Sequence, residues 1–568
     1  MKPFVFLFCQ PDDFHLRARR HLARLWGTAN HTVIDGGPKL QGHMICAGYT
    51  NQPMIIAAGS TDDESKLNGP GCIVQLPDRA SVVTDPLGLQ ALYYAKIDKV
   101  LICSNTTEAI LSLFRLSPEL DDTALSGWLA GQPVPELSLY RNVSVLPAGY
   151  ALRVSAESYT LHKYWDIDPA NRVILSNDQE YATSFRALFT RVVEEYVGDS
   201  PVIASQMSGG MDSTSVTALA LHWQRQHNRK CIALSHFYRH DAKSDESALI
   251  KDMRAHLNIE DFLYQDVDLA QYRNFLQLYP AHFDHPGIVL SPRYRDEMHT
   301  LARHNVTLLL TGNGGDEMCW GHASTYTQRL REGELNVIGE VKQACKETDL
   351  AFLPIAKSLF VKPLIPQWLM NMAKRLKGQS PGIIPMPQWM TPKGKELASA
   401  SYAFHNPFDA KKDPARYARY FALKTTTTFN SVRSYDAIAS EFDIRVKHPF
   451  FDYRIAEHSF AVPPVQLIQG AYPKYMLRNA MTESLPDSVC WRKTKTTFDR
   501  HFANLVRENA DSLRACLAHP YLADRGLIDT QQVLKAFDDA VHNRNGGINV
   551  DLLFVILTQR WLQTFHKL

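Results

Sequence analysis

Nowhere in this 568-residue chain is there an apolar run approaching the roughly 18 residues that a membrane-spanning helix needs. The start, MKPFVFLFCQPDD, has one basic residue and an apolar stretch too short for the core of a secretion signal, so a soluble cytoplasmic protein is expected. Cysteine is sparse and scattered. Cys9, Cys46, Cys72, Cys103, Cys231, Cys319, Cys345, Cys490 and Cys516 form no CxxC pair, and neither HExxH nor a zinc-finger spacing occurs. A disulfide framework and a structural zinc site are thereby disfavoured, and buried thiols in a reducing compartment are expected. Nor does one sign of charge dominate. Lys plus Arg number 61 against 59 Asp plus Glu, a formal net charge of +2. No global field therefore recruits nucleic acid or an anionic membrane, and any polyanion must be held locally. Repeats and low-complexity segments are absent too, and the 45% hydrophobic content rules out disorder. At roughly 100–200 residues per domain the length suggests two or three domains.

What is present falls into two patterns. Residues 1–170 carry short apolar or alternating runs, FVFLFC, HMICAG, MIIAAG, GCIVQL, SVVTDP, ALYYAK and VLICSN, broken by Gly, Pro, Asn and Asp. With little helical periodicity between them, they predict a layered β domain. From about 180 to 568 the pattern changes, and strands alternate with amphipathic helices. DQEYATSFRALFTRVVEEYV leads into strand PVIASQM (201–207), helix TSVTALALHWQRQ, strand KCIALSHFY (230–238), helix SDESALIKDMRAHLN and strand DFLYQDVD, with helix RYRDEMHTLARHN and strand VTLLLTG further on. This order predicts an α/β domain with a doubly wound parallel sheet and extra helices, in which ligands bind beyond the carboxyl ends of the strands. Residues 330–430 read as helical, interrupted by GQSPGIIPMPQW (378–389), and the last hundred residues return to helical periodicity.

Two glycine-rich turns carry the chemistry. Ser208-Gly209-Gly210-Met211-Asp212-Ser213 lies between a strand and a helix. The glycines let the backbone approach a phosphate, the free N–H groups of the helix start favour an anion, and the two serines add hydroxyl donors. Asp212 would repel bare phosphate unless a divalent cation lay between them, so the loop implies a nucleotide with Mg²⁺. A tight turn with a Ser or Asp helix cap would look the same. No GxxxxGK[ST] occurs, so this is not a Walker A loop. Thr311-Gly312-Asn313-Gly314-Gly315-Asp316-Glu317 again follows an apolar strand. In a parallel sheet both turns leave the same edge and could face one polyphosphate, with Asp316 the second metal ligand; otherwise Asp316 and Glu317 simply suit the helix dipole. A third cluster, Cys490-Trp491-Arg492-Lys493-Thr494-Lys495-Thr496-Thr497-Phe498, puts four cations within about ten residues if Arg500 is counted. Lys474, Arg478 and the turn KHPFFD (447–452) complete the set.

SGGMDS, TGNGGDE, HPFFD, YPKYMLR and WRKTK with TTF occur in the order that resembles the asparagine synthase family. Its members cleave ATP to AMP and pyrophosphate while adenylating a carboxylate. TDPLGLQALYY (84–94), CSNTTEAI (103–110) and VLPAGYALRV with LHKYW (145–165) are similar to the family's N-terminal glutaminase-like domain, which has an Ntn-type layered fold. Two departures matter. The glutamine-using members need a cysteine at the mature N-terminus, whereas the sequence here starts Met1-Lys2-Pro3 and Cys9 sits in an apolar strand, so glutamine hydrolysis is not expected. Asn313 stands where asparagine synthetases carry glutamate and β-lactam synthetases a tyrosine that helps deprotonate the amine, and asparagine cannot be that base.

The ending WRKTKTTFDRHFANLVRENADSLRACL with LADRGLID resembles lasso-peptide cyclases, macrolactam synthetases that join a peptide's N-terminal amine to an internal Asp or Glu side chain. An α-amine, with a pKa of about 7.7–8.0, is partly neutral at pH 7 and has less need of a strong base than a lysine. The resemblance implies ATP and Mg²⁺ as cofactors and a precursor peptide as substrate. It further implies a leader-binding protein and a leader peptidase as partners. Ser208, Gly209, Gly210, Ser213, Gly312 and Gly314 would cradle the nucleotide, with Ser235 and Phe237 lining the adenine pocket by position. Asp212 and Asp316 would hold the metal, and Lys495, Lys474 and Asn313 would face the reacting groups. Residues 330–430, with Trp368 and Trp389, either shape the peptide cavity or form a plain helical core. The rivals are a small-substrate amide synthetase and, from another class, a non-catalytic nucleotide- or peptide-binding scaffold. The acidic residues in both turns argue against the scaffold.

Overall fold

Alternation along the first strand, β1 (Phe4–Cys9), decides the layering of the N-terminal domain. Phe4, Phe6 and Phe8 point into one core with Val82, Leu152 and Val154, whereas Val5 and Leu7 point into another with Ala18, Leu22 and Ile110. The structure is a computed structural model. It describes residues 4–9, 14–26, 30–35, 41–46, 55–57, 72–76, 79–155, 158–238, 244–267, 283–365, 369, 372, 386–425, 427–493, 499–543 and 548–565. One sheet runs in the order β2 (Asn30–Asp35), β3 (Gln41–Cys46), β1, β8 (Val100–Ser104), β7 (Tyr93–Ile97), β9 (Ser144–Val145). The other runs β11 (Tyr159–Lys163), β10 (Tyr150–Val154), β6 (Arg79–Val83), β5 (Cys72–Leu76), β4 (Ile55–Ala57). The phenylalanines lie between the two sheets. The domain also holds helices that the pattern of short strands hid: α1 (Phe14–Trp26), α2 (Thr107–Phe114) and α3 (Asp122–Leu129). Its order is therefore helix, sheet, sheet.

The second domain begins with α4 (Asp178–Val197), whose first turn is capped by Asn177 accepting from the Glu180 N–H. Its sheet is parallel throughout, in the order β14 (Phe262–Asp266), β13 (Lys230–Phe237), β12 (Val202–Gln206), β15 (Leu308–Leu310), β16 (Arg445–Lys447). The chain winds outward from β12 to β14 and then restarts on the other side of β12. The switch point thus falls between β12 and β15, the place where an open α/β sheet leaves a crevice for a ligand. Ile203, Cys231 and Ala233 pack towards α4 and α5 (Met211–Gln226). Ala204, Ile232 and Leu234 pack on the opposite face, towards α7 (Ser291–Ala302) and α9 (Thr428–Ser440). Between these elements lie α6 (Ser247–His256) and the short α8 (Gly315–Cys319).

One core belongs to both domains. Leu7, Ile102, Trp128 and Tyr140 share it with Phe537, Phe554, Trp561 and Leu562 of the C-terminal helices. Trp389 is 4% exposed and lies in this core, which answers the sequence question for that residue in favour of packing. Trp368 lies outside the described residues. Polar contacts add to the joint. Asp284 accepts from the Thr107 N–H at 2.6 Å, capping α2 from the other domain, and the Tyr140 hydroxyl donates to the Phe283 carbonyl at 2.6 Å. Among the described residues six cysteines are buried without a disulfide, and no helix is long and apolar enough to cross a membrane.

Candidate active site

The two glycine-rich turns meet at the switch point. The first leaves β12 and enters α5, where helix geometry leaves backbone N–H groups without an intrahelical acceptor. Its own hydroxyls fix its shape: Ser213 Oγ accepts from the Ser208 N–H at 2.9 Å and lies 2.7 Å from Ser208 Oγ, which accepts from the Gly210 N–H at 3.0 Å. The second turn leaves β15 and enters α8. A β-carbon on Gly312 would stand 2.5 Å from the Ser213 nitrogen, and one on Gly315 would stand 2.2 Å from Asp212 Cγ. Only glycine lets the turns approach this closely. Gly315→Ala is therefore expected to push the Asp212 carboxylate out of place and lower the melting temperature while the far-UV circular dichroism is unchanged. An unchanged melting temperature would show that the contact is dispensable.

Gly314 takes φ +94° and packs against the ring of Phe451 and the β-carbon of Phe450, and His448 Nδ1 lies 2.6 Å from Thr311 Oγ1. KHPFFD is thus a buttress under the second turn, delivered by β16, a three-residue strand too short to announce itself in the sequence. Burial and the neighbouring Lys447 lower the His448 pKa to about 3, so its ring is neutral.

Between the turns sits a lysine. Lys474 is 5% exposed, and its ammonium lies 2.5 Å from Asp212 Oδ2 and 2.7 Å from Asp316 Oδ1. Burial alone would lower its pKa, but the two carboxylates outweigh burial and hold the ammonium above the ordinary lysine range. Its backbone is left-handed, φ 61°, a conformation that costs a non-glycine residue roughly 1–2 kcal/mol. Asp212 and Asp316, predicted as metal ligands, thus converge from separate loops on one cationic point.

The cleft above has a volume of about 360 Å³ and is lined by Ser208, Gly209, Gly210, Asp212, Ser213, Gly312, Asn313 and Lys474, together with residues the sequence reading did not select: Gln206, Leu234, His236, Glu246, Arg293 and Trp320. Ser235 and Phe237 are a correction. The Ser235 hydroxyl donates to the Met207 carbonyl, and Phe237 stacks on Tyr264. Side chains alternate along β13, so the neighbours Leu234 and His236 reach the cleft and a one-residue shift turns the assignment to the wrong face. Glu246 accepts from the Gly209 N–H at 3.0 Å and from Arg492 at 2.9 Å. Its sequence signal, SDES just before α6, resembles an ordinary helix start. Lys493 also lines the cleft and pairs with Glu347 at 3.1 Å. Lys495 and Phe498 lie outside the described residues.

Paired glycine-rich turns with converging carboxylates at the switch point of a parallel sheet, joined to a two-sheet N-terminal domain, define a nucleotide-binding α/β enzyme class. The asparagine synthase family profile matches residues 184–563, and a glutamine amidotransferase domain profile matches residues 72–165. The chain belongs to the asparagine synthase family. It is similar to asparagine synthetase [glutamine-hydrolyzing] 2 of Bacillus subtilis, with 23% identity over 73% of this chain and 53% of that protein. Asparagine synthetase [glutamine-hydrolyzing] 3 of the same organism is 20% identical over 79% of this chain and 70% of its own length. Amidase chyE of Penicillium rubens is 22% identical over 71% and 65%. The chain thus spans only about half of the first of these relatives.

Proposed function

We propose that this protein is an ATP-dependent amide ligase that adenylates an Asp or Glu side chain of a precursor peptide and closes a macrolactam with the peptide's N-terminal amine. The observation that carries the ligase reading is the convergence of Asp212 and Asp316, from two glycine-rich turns, on one cationic point beside the α5 N-terminus. ATP phosphates fit the Ser208, Gly209, Gly210 and Ser213 end of the cleft, where the serine hydroxyls and the α5 N-terminus favour anions. Two hard carboxylates from separate loops also fit Mg²⁺, which Asp212 and Asp316 would hold. When bound, it would neutralise phosphate charge. A substrate carboxylate oxygen forms a bond to the α-phosphorus as the bond to the β-phosphate oxygen breaks, releasing pyrophosphate. The amine then attacks the acyl carbon, loses its proton to solvent, and AMP leaves. Asn313 lines the cleft and offers no base, which suits an α-amine that is partly neutral at pH 7. Holding both ends of one peptide makes the second step intramolecular. A leader-binding protein and a leader peptidase would supply the peptide.

Incubation with ATP, Mg²⁺ and leader-free peptides bearing Asp or Glu several residues from the N-terminus is expected to give AMP, pyrophosphate and a product one water lighter. N-terminal acetylation should abolish that product. The rival reading, asparagine formation, is favoured by the names of the B. subtilis relatives. Aspartate with ammonium or glutamine driving AMP release better than any such peptide would establish it and refute the macrolactam.

A further inference from the structure

The cleft wall opposite α5 holds a buried polar cluster that phosphate binding does not use. Glu297 on α7 is fully buried. Its carboxylate lies 2.7 Å from His236 Nε2, accepts from Gln206 Nε2 at 3.0 Å and from the Tyr435 hydroxyl, and is ion-paired with Arg293 Nε at 3.2 Å. These side chains come from β12, β13, α7 and α9, on the sheet face turned away from α5. Burial would raise the Glu297 pKa, but its hydrogen bonds to His236 and Tyr435 and the Arg293 charge bring it below the usual range. Burial lowers the His236 pKa despite the carboxylate beside it.

Arg293 is then the cation that this wall presents to the cleft, among the described residues. The others lining it, Lys474, Arg478, Arg492 and Lys493, belong to the 474–493 segment beside the first turn. A buried ion pair of this kind is weak evidence for stability, since apolar residues of similar volume would serve at least as well. It does hold a guanidinium at the cleft: Nε lies 3.2 Å from Glu297 Oε1 as an ion pair without a hydrogen bond, and Nη1 donates to the Tyr238 hydroxyl at 3.3 Å. A planar guanidinium with several donors matches a carboxylate.

We propose that Arg293, paired with Glu297, receives the carboxylate that is to be activated, across the cleft from the phosphate loop. This assignment rests on the ligase reading for its place in catalysis, but binding tests it separately. Phenylglyoxal modifies accessible guanidinium groups, and mass spectrometry of the full chain locates the adducts. N-acetyl-aspartate amide or N-acetyl-glutamate amide at millimolar concentration is expected to shield Arg293 several-fold. N-acetyl-asparagine amide should not, and ATP alone should shield Arg478 or Arg492 but not Arg293. An Arg293 that resists modification in the free protein, is not shielded by the acids, or is shielded by ATP alone overturns the proposal. With a cyclising peptide, Arg293→Gln is expected to raise the peptide KM roughly tenfold or more and leave the ATP KM within about twofold. Arg293→Lys should not rescue, because lysine lacks the planar multi-donor head that can pair with Glu297 and a second carboxylate together. Normal peptide KM in Arg293→Gln sinks the site while the ligase stands. Shielding by the acids without AMP formation from any peptide leaves the carboxylate site and removes the macrolactam.

Discussion

Asp212→Asn and Asp316→Asn are each expected to leave a folded protein and to cut AMP formation by roughly 10²-fold or more, about 2.7 kcal/mol of transition-state stabilisation. The two carboxylates share the Lys474 ammonium at 2.5 and 2.7 Å, so losing either charge disturbs the other two members. The same pairs affect stability with a definite sign. Lys474 has a raised pKa in the folded chain, so its pairing stabilises fully below the ordinary lysine pKa of about 10.4 and fades as pH rises through the higher folded value. The gap in melting temperature between the native protein and either Asn variant should therefore be constant from pH 7 to 9 and shrink above pH about 10.4. If both variants release AMP like the native protein, the two-turn site is wrong.

Removal of residues 1–170 is expected to leave the remainder insoluble or unfolded, because the first domain covers a core that the C-terminal helices cannot close alone. Trp128 is 4% exposed, lies 5.5 Å from Phe554 between ring centroids, and stacks on His285 at 5.8 Å. Trp128→Ala should cost about 3–5 kcal/mol, as large-to-small changes of buried aromatics do. That is a fall of several degrees in the first melting transition, far from the cleft. A soluble, cooperatively melting 180–568 fragment would show instead that the two domains are energetically separate. The expected outcome means that the N-terminal domain is needed as packing, whatever chemistry its relatives perform.

The parts of the site that could be read from the chain were those whose physical demand is local. A strand, two glycines and a helix start must produce a turn with exposed N–H groups, so Ser208 to Ser213 and Thr311 to Glu317 were legible. Glu297, Arg293 and Gln206 were not. Each sits in a segment whose pattern reports only a helix or a strand, and their meeting depends on pairing across 91 residues between Gln206 and Glu297. Ser235 and Phe237 failed for a different reason. The sequence placed the right strand at the cleft, but which alternate side chains face it depends on the sheet's two packing partners.

By itself the sequence determined the alternating strands and helices of the second domain, the two turns and the acidic residue in each, because periodicity and glycine geometry act over a few residues. Only the tertiary structure decided the strand order that puts the switch point between β12 and β15, the lysine lodged between two carboxylates, and the core shared by both ends of the chain. Those rest on long-range pairings, Lys474 with Asp212 across 262 residues among them. They are set by which apolar faces bury one another, a property of the whole chain that local pattern does not contain.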